Sequence, residues 1–404
     1  MGCYNASLIF SIKSKEGAGS VCKSSPSNVG HMTLYQPDEI FVEHGEEHAP
    51  VVQRALSFLP DVPVRVVDKG WERALAAQRE RDSFTAGKRR LFFTRQRSPF
   101  LEHCPAGTPS LICCNYLVVS LISNCPMDCS YCFLQEYLAN NPTLKVFTNV
   151  GDLLHEVAVA VNRHPARHFR IGTGELSDSL ALDPLLGFSA DLVPFFAAQK
   201  NVLLELKTKS DCVEGLLPFD PRERVVVSWS ITPPAITDTE EHGTASFAGR
   251  VDAALRVQKA GYKLGFHFDP LIEYPDWEKG YRDAFTRIFS AVDSRRVAWV
   301  SLGSLRLTPS LRATMRRRFP QTRLLSGEQV PCGDGKWRTF QALRVKMYRT
   351  LMGWLKEAAP NVPLYMCMET ASVWEKVFGR VPACDKEVAH SLTEPNLSLM
   401  PPLS

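Results

Sequence analysis

The 404-residue chain lacks any apolar run near the ~20 residues that a bilayer-spanning helix requires. No membrane-embedded role is expected. It also lacks a charge surplus: 47 Lys and Arg stand against 43 Asp and Glu, and a net +4 singles out no partner. Its 24 Gly and 28 Pro follow no period, which excludes collagen-like and low-complexity architectures. The one apolar run near the amino end, residues 6–12, is too short for a secretory core. Ala6 stands where an acylated Met1-Gly2 start wants Ser or Thr. The Ser-, Gly- and Lys-rich residues 1–31 are expected to form a disordered extension, and the cytoplasm is the expected location.

Cysteine, by contrast, is plentiful. Twelve occur, at Cys3, Cys22, Cys104, Cys113, Cys114, Cys125, Cys129, Cys132, Cys212, Cys332, Cys367 and Cys384. A disulfide scaffold would spread them through a small loop-rich domain. Three fall instead within eight positions of a large chain, which points to a metal site in a reducing compartment.

The early part of the chain reads as two short strands, in FVEHG and VPVRVVD, flanking a helix over 49–58. Between Trp71 and Ser98 lie Arg73, Arg79, Arg81, Lys88, Arg89, Arg90, Arg95 and Arg97, a stretch expected to be a solvated helix face and loop. From Asn115 onward, apolar runs at 116–122, 168–171, 202–206, 224–229, 262–268 and 296–301 predict buried parallel strands. Helical periodicity falls between them, at 151–162, 184–199, 246–260 and 277–292, with a turn near 212–217 and a stop signal at Gly261. Six strands alternating with helices predict an α/β fold, either a doubly wound sheet or a complete or partial barrel. In both cases the reactive face is the C-terminal end of the strands.

The triplet Cys125-x3-Cys129-x2-Cys132 follows the first of these strands, with Tyr131 just before its third cysteine. Three thiolates on a tight loop suit three corners of a [4Fe–4S] cube. A structural zinc would want a fourth ligand, and the next His or Cys is His155, too far for finger spacing. After the second strand comes Gly172-Thr-Gly174-Glu175-Leu-Ser177-Asp178, where glycines admit close backbone approach and a carboxylate can accept from an ammonium. Lys207 and Lys209 follow the third strand, Ser228 and Ser230 the fourth, and His267 and Asp269 the fifth. Thr244 or Ser246 is expected to cap a helix. From Ser294 to Arg323 eight arginines occur without a single acid, a run suited to contacting phosphates.

The cysteine loop resembles the signature of the radical S-adenosylmethionine superfamily. That resemblance implies a (β/α) barrel, full or partial, with a cluster whose free iron chelates S-adenosylmethionine. Reductive cleavage there yields a 5′-deoxyadenosyl radical that abstracts a substrate hydrogen. Gly172-Thr-Gly174-Glu175 is similar to the superfamily element that holds the cofactor's amino group. Within the superfamily, several segments resemble the spore photoproduct lyases: PDEIFVE at 37–43, CFLQ at 132–135, GELSD at 174–178, and EHGT at 241–244 with Arg250. AGYKLGF at 260–266, Pro270 and WEKGYR at 277–282 add to these, and the likeness extends over about 36–330.

The resemblance implies a partial (β/α)6 barrel over 111–310, an N-terminal α/β region over 32–110 and a C-terminal helical addition over 311–404. It implies that Glu175, Ser177, Asp178, Lys209 and Ser228 line the cofactor pocket and that Tyr131 belongs to a hydrogen relay. The implied substrate is a pyrimidine lesion in DNA or a nucleotide, with flavodoxin or ferredoxin as reductant. Two positions depart from the pattern. Glu175 stands where the lyases carry a hydrogen-donating cysteine, and Phe133 replaces a second relay tyrosine. Cys212, Cys332 and Cys367 are the candidates for a substitute thiol. A radical enzyme acting on a peptide or small molecule, and an iron–sulfur electron carrier or sensor, remain alternatives.

Overall fold

In the computed structural model, residues 35–71, 82–104, 108 and 110–398 are described. The expected extension over 1–31 lies outside the described residues, as do Arg73, Arg79 and Arg81. The main sheet has eight strands: β1 (Leu101–His103), β2 (Leu117–Val119), β3 (Phe169–Gly172), β4 (Val202–Thr208), β5 (Val225–Ser230), β6 (Lys263–Leu271), β7 (Val297–Ser304) and β8 (Leu364–Met366). Their spatial order is their chain order. β1 and β2 pair antiparallel, and every later pairing is parallel. The sheet is open and curled, a half-barrel.

All six expected strands form. Their core, VLLELKT in β4 and VVVSWS in β5, is nearly continuous in buried residues because helices and loops cover both faces. The sheet gains β1 and β8 as edge strands, each only three residues long, too short for a periodic signal. The expected helix over 184–199 is two helices, Asp183–Leu186 and Ser189–Ala197, because the chain turns left-handed at Gly187 (φ 71°). Phe247–Lys259 is capped by Ser246, whose hydroxyl accepts from the Gly249 amide at 3.1 Å.

A second sheet of five strands lies in the order Val64–Val67, Glu39–Glu43, Arg90–Thr94, Leu144–Phe147, Ile122–Ser123. Its last two strands pair antiparallel, with Ile122 opposite Val146. The cysteine triplet therefore sits in the excursion between two paired strands of this sheet, while the chain on either side belongs to the half-barrel. A second bridge secures the loop: Asp128–Cys129 pairs antiparallel with Glu241–His242. The C-terminal addition brings the helices Pro309–Arg318, Gln341–Ala358, Ala371–Phe378 and Asp385–Ser398, a small antiparallel sheet, and β8 itself. No helix of the described residues is long and apolar enough to cross a membrane.

Candidate active site

A cavity of about 890 Å³ opens at the C-terminal strand ends. Its walls include Cys125, Cys129, Cys132, Tyr131, Glu175, Ser177, Asp178 and Lys209. The geometry thus brings together residues from the loop after β2, the loop after β3 and the end of β4.

Cys125 and Cys132 share an apolar nest with Phe84, Met127, Leu134 and Ala181, and Cys129 is buried beside them in the same loop. Burial pushes the Cys125 thiol up to about 12, and raises Cys129 and Cys132 as well. Thiolates in such a place need a cation beside them, which bound iron supplies. Among the described residues no three Cys, His, Asp or Glu side chains converge as ligands of one ion. Three thiols on one buried loop are a donor set that would hold three corners of a [4Fe–4S] cluster. Across the cavity wall the Ser177 hydroxyl is buried without a hydrogen-bond partner, a polar group suited to a bound ligand.

Two glycines after β3 shape the opposite wall. A Cβ on Gly172 would lie 2.6 Å from the Tyr116 ring, and one on Gly174 would lie 2.8 Å from Lys207 Cβ. Their absence lets Tyr116 donate its phenol to Glu175 Oε1 and lets the end of β4 close against the loop. Burial raises the Glu175 carboxyl, opposed by Lys207 and reinforced by Glu205 and Asp269.

Tyr131 donates its phenol to Glu241 Oε1. The same carboxylate takes Arg250 at 2.5 Å and Lys209 at 3.2 Å. Burial opposes ionisation of Glu241, yet Arg250 and then Lys209 hold its carboxyl down at about 2. Burial and that neighbouring charge keep the Tyr131 phenol protonated well above its ordinary range. Glu241 and Arg250 were legible in sequence only as parts of a family-like segment near a helix cap; Arg250, 1% exposed, is in fact the cation beneath this site.

Asp178 lines the cavity, but its oxygens are already engaged. Oδ1 accepts from Thr208 Oγ1 at 2.7 Å and from the Leu180 and Ala181 amides at 3.0 and 2.9 Å; Oδ2 accepts from the Lys209 amide at 2.6 Å. It ties the loop after β3 to the end of β4. Ser228 departs from the expected cofactor pocket: it is fully buried, is not on the cavity wall, and donates to Glu205 Oε1 at 2.8 Å. It shares the strand face of Ser230, which does line the cavity, but lies two residues deeper in β5, beneath the Glu205 carboxylate.

Glu205 is the residue that sequence reasoning missed. Its carboxylate accepts from Arg170 Nη2 at 2.7 Å, meets His267 Nε2 at 2.6 Å, and is held well below the usual carboxylate range by those two despite burial. The signal was available: an acid in the middle of the apolar run VLLELKT is rarely buried without paired cations.

The spore photoproduct lyase family model matches residues 104–347. The chain belongs to the spore photoproduct lyase family. It is 27% identical over 213 residues to the spore photoproduct lyase of a Geobacillus species, covering 51% of this chain and 61% of that protein. It is 23% identical over 264 residues to that of Clostridium acetobutylicum, covering 65% and 76% respectively. The chain thus spans about three fifths of the Geobacillus relative's length. A solved spore photoproduct lyase complexed with dinucleoside spore photoproduct superposes with a TM-score of 0.71 at 21% identity, over 83% of this chain and all (100%) of that one. Another, with bound AdoMet and dinucleoside spore photoproduct, gives 0.71 at 21% identity, over 84% and 100%. At this identity the structures establish the fold.

Against spore photoproduct lyases, the two sequence departures fall on the cavity wall, where both Glu175 and Phe133 lie. Of the three candidate substitute thiols, Cys367 reaches the cavity, in company with Cys104, Cys113 and Cys114, whereas Cys212 and Cys332 do not. The arginine run is mostly not a phosphate surface. Arg296, Arg306 and Arg318 pair with Glu223, Asp269 and Asp128, acids distant in sequence, and Arg295 pairs with Asp293 just before the run. Arg312 lies over the Trp337 ring at 4.4 Å. Arg316, Arg317 and Arg323 remain exposed.

Proposed function

We propose that this chain is a radical S-adenosylmethionine enzyme acting on a pyrimidine lesion in DNA or a dinucleotide. The carrying observation is one cavity that joins the three thiols of a single loop to Glu175, Lys209 and the unpartnered Ser177 hydroxyl. Cys125, Cys129 and Cys132 would hold the cluster. Glu175 would accept from the cofactor's ammonium, and Ser177 and Lys209 would contact its polar remainder. When bound, these groups supply the radical chemistry that takes a hydrogen from substrate.

The protein's own share is orientation and shielding. The Asp178 ties and the Gly172 and Gly174 contacts fix the wall that faces the thiols. Burial and Glu241 keep Tyr131 protonated, and Phe133, which follows Cys132, carries no phenol. Flavodoxin or ferredoxin is the proposed electron source. The described cysteines are all free, which suits a reducing compartment such as the cytoplasm.

The test is anaerobic reconstitution with iron and sulfide, reduction with dithionite and addition of S-adenosylmethionine. Formation of 5′-deoxyadenosine, abolished by Cys129→Ala, is expected. Thymine released from a dinucleoside spore photoproduct would support the lesion as substrate. Cofactor cleavage without thymine release would move the proposal to a peptide or small-molecule substrate, and no cleavage by a fully loaded protein would leave an iron–sulfur carrier.

A further inference from the structure

Lys88 is 6% exposed, and a lysine is rarely so buried unless something beside it needs its charge. It closes the helix Ser83–Lys88, outside both the cysteine loop and the half-barrel. Its Nζ donates to the Met127 carbonyl, in the middle of the cysteine loop, and pairs with Asp128 at 3.2 Å. The ammonium also lies 4.6 Å from the centroid of Phe84, and Phe84 shares one apolar cluster with Cys125 and Cys132. Lys88 thus sits under the loop on the side of two of its three sulfurs.

A second buried cation braces the same loop from the far end of the chain. Arg318 donates to Asp128 at 2.8 Å, to Asp82 at 3.0 Å and to Gln135 Oε1. Gln135 in turn donates to the Cys129 and Ser130 carbonyls at 3.2 and 2.8 Å. Asp128 is therefore shared by two cations, and Lys88 is the one bonded directly to the loop backbone between Cys125 and Cys129.

A cluster on three thiolates gains one negative charge on reduction, and its potential follows the charges and hydrogen bonds around its sulfurs. We propose that Lys88 is a positioning residue that raises the reduction potential of the cluster held by Cys125, Cys129 and Cys132, with Asp128 as the counter-charge that limits its effect. This rests on the cluster assignment above. The two charges make opposite predictions. Lys88→Met removes a positive charge beside the sulfurs and destabilises the reduced state, whereas Asp128→Asn unmasks Lys88 and Arg318 and stabilises it. A bracing role alone would weaken loading in both variants without moving the potential in opposite directions.

The experiment is a potentiometric titration of the reconstituted full-length chain, followed by electron paramagnetic resonance of the reduced cluster, with iron and sulfide quantified in each sample. At the wild-type midpoint, Lys88→Met should show a reduced-to-oxidised ratio lower by roughly tenfold, about 59 mV for a one-electron couple. Asp128→Asn should shift the other way, and Lys88→Arg should stay near wild type. A wild-type chain that takes up no iron and sulfide would sink the cluster assignment itself. Loaded Lys88→Met with the wild-type midpoint would overturn the role of Lys88 alone. If Lys88→Met fails to load, the Asp128→Asn shift decides: no rise in potential overturns the proposal.

Discussion

Glu175 stands where the resemblance places a hydrogen-donating thiol, and its surroundings suit it to another task. A carboxylate half-enclosed beside Lys207, with the Tyr116 phenol on one oxygen, is an acceptor held in place for an ammonium. Glu175→Gln should weaken S-adenosylmethionine binding by about tenfold to a hundredfold, on the scale of ~1.5–3 kcal/mol for a hydrogen bond to a charged group, while the cluster's spectrum is unchanged. Because burial raises this carboxyl, it protonates at a higher pH than an ordinary glutamate. Wild-type affinity should therefore fall as pH drops through the mildly acidic range, and the Gln variant should show a flat profile. Calorimetric titration across pH reads both. If the proposed reaction ends by returning a hydrogen to substrate, a carboxyl is no hydrogen-atom donor, and the cavity thiols are the candidates. Cys367→Ala should leave 5′-deoxyadenosine formation intact and divert the lesion product from thymine to trapped adducts. An unchanged product mixture would shift the role to Cys113 or Cys114, which share the cavity.

At the scale of elements, the cluster loop is a strand excursion clamped at both sides. The bridge of Asp128–Cys129 with Glu241–His242 carries the buried Glu241 carboxylate, which Arg250 and Lys209 compensate. Replacing Arg250 by Met leaves that charge without its nearest cation, and should cost ~3–5 kcal/mol by urea unfolding. The stabilisation has a defined pH window. Glu241 is held at about 2 in the fold against an ordinary carboxyl in the unfolded chain, so the folded state binds its proton less readily. Its contribution is present above the unfolded-state value near ~4.3 and is lost as pH falls toward about 2. The Arg250 variant should lose that part of the acid sensitivity.

These elements also mark how far sequence reasoning reaches. The strands β2 to β7 and the long helices Val150–Asn162, Phe247–Lys259 and Trp277–Ala291 were legible because apolar runs and 3.6-residue periodicity carry their own signal. β1 and β8 were not, since three residues hold no period, and their pairing is decided by contacts with distant chain. The same limit applies to the site. The triplet and the Gly-rich turn are local patterns, so they were readable. Glu205 acts through Arg170 and His267, and Glu241 through Tyr131 and Lys209, all far away in sequence. Ser228 shares the face of the wall residue Ser230 but lies one step deeper in the strand.

At the scale of the whole molecule, three distant parts of the chain meet at the cysteine loop: Lys88 near the start, Glu241 in the middle and Arg318 in the C-terminal addition. The C-terminal helix Pro309–Arg318 is therefore part of the site's foundation, and its last arginine faces inward while its neighbours face solvent. That division decides how a nucleic-acid surface must be tested. Neutralising Arg318 would disturb the loop itself and confound any binding measurement. Arg316, Arg317 and Arg323 are exposed, so their replacement by Gln should leave folding and cluster content unchanged. If they contact phosphates, the triple variant should bind a lesion-containing duplex more weakly at low salt. Its plot of log affinity against log salt should also be shallower, by roughly 0.9 for each phosphate that is no longer neutralised. Fluorescence anisotropy at several salt concentrations measures that slope. A slope identical to wild type would place the DNA-binding surface elsewhere and leave the three exposed arginines as solvated charges.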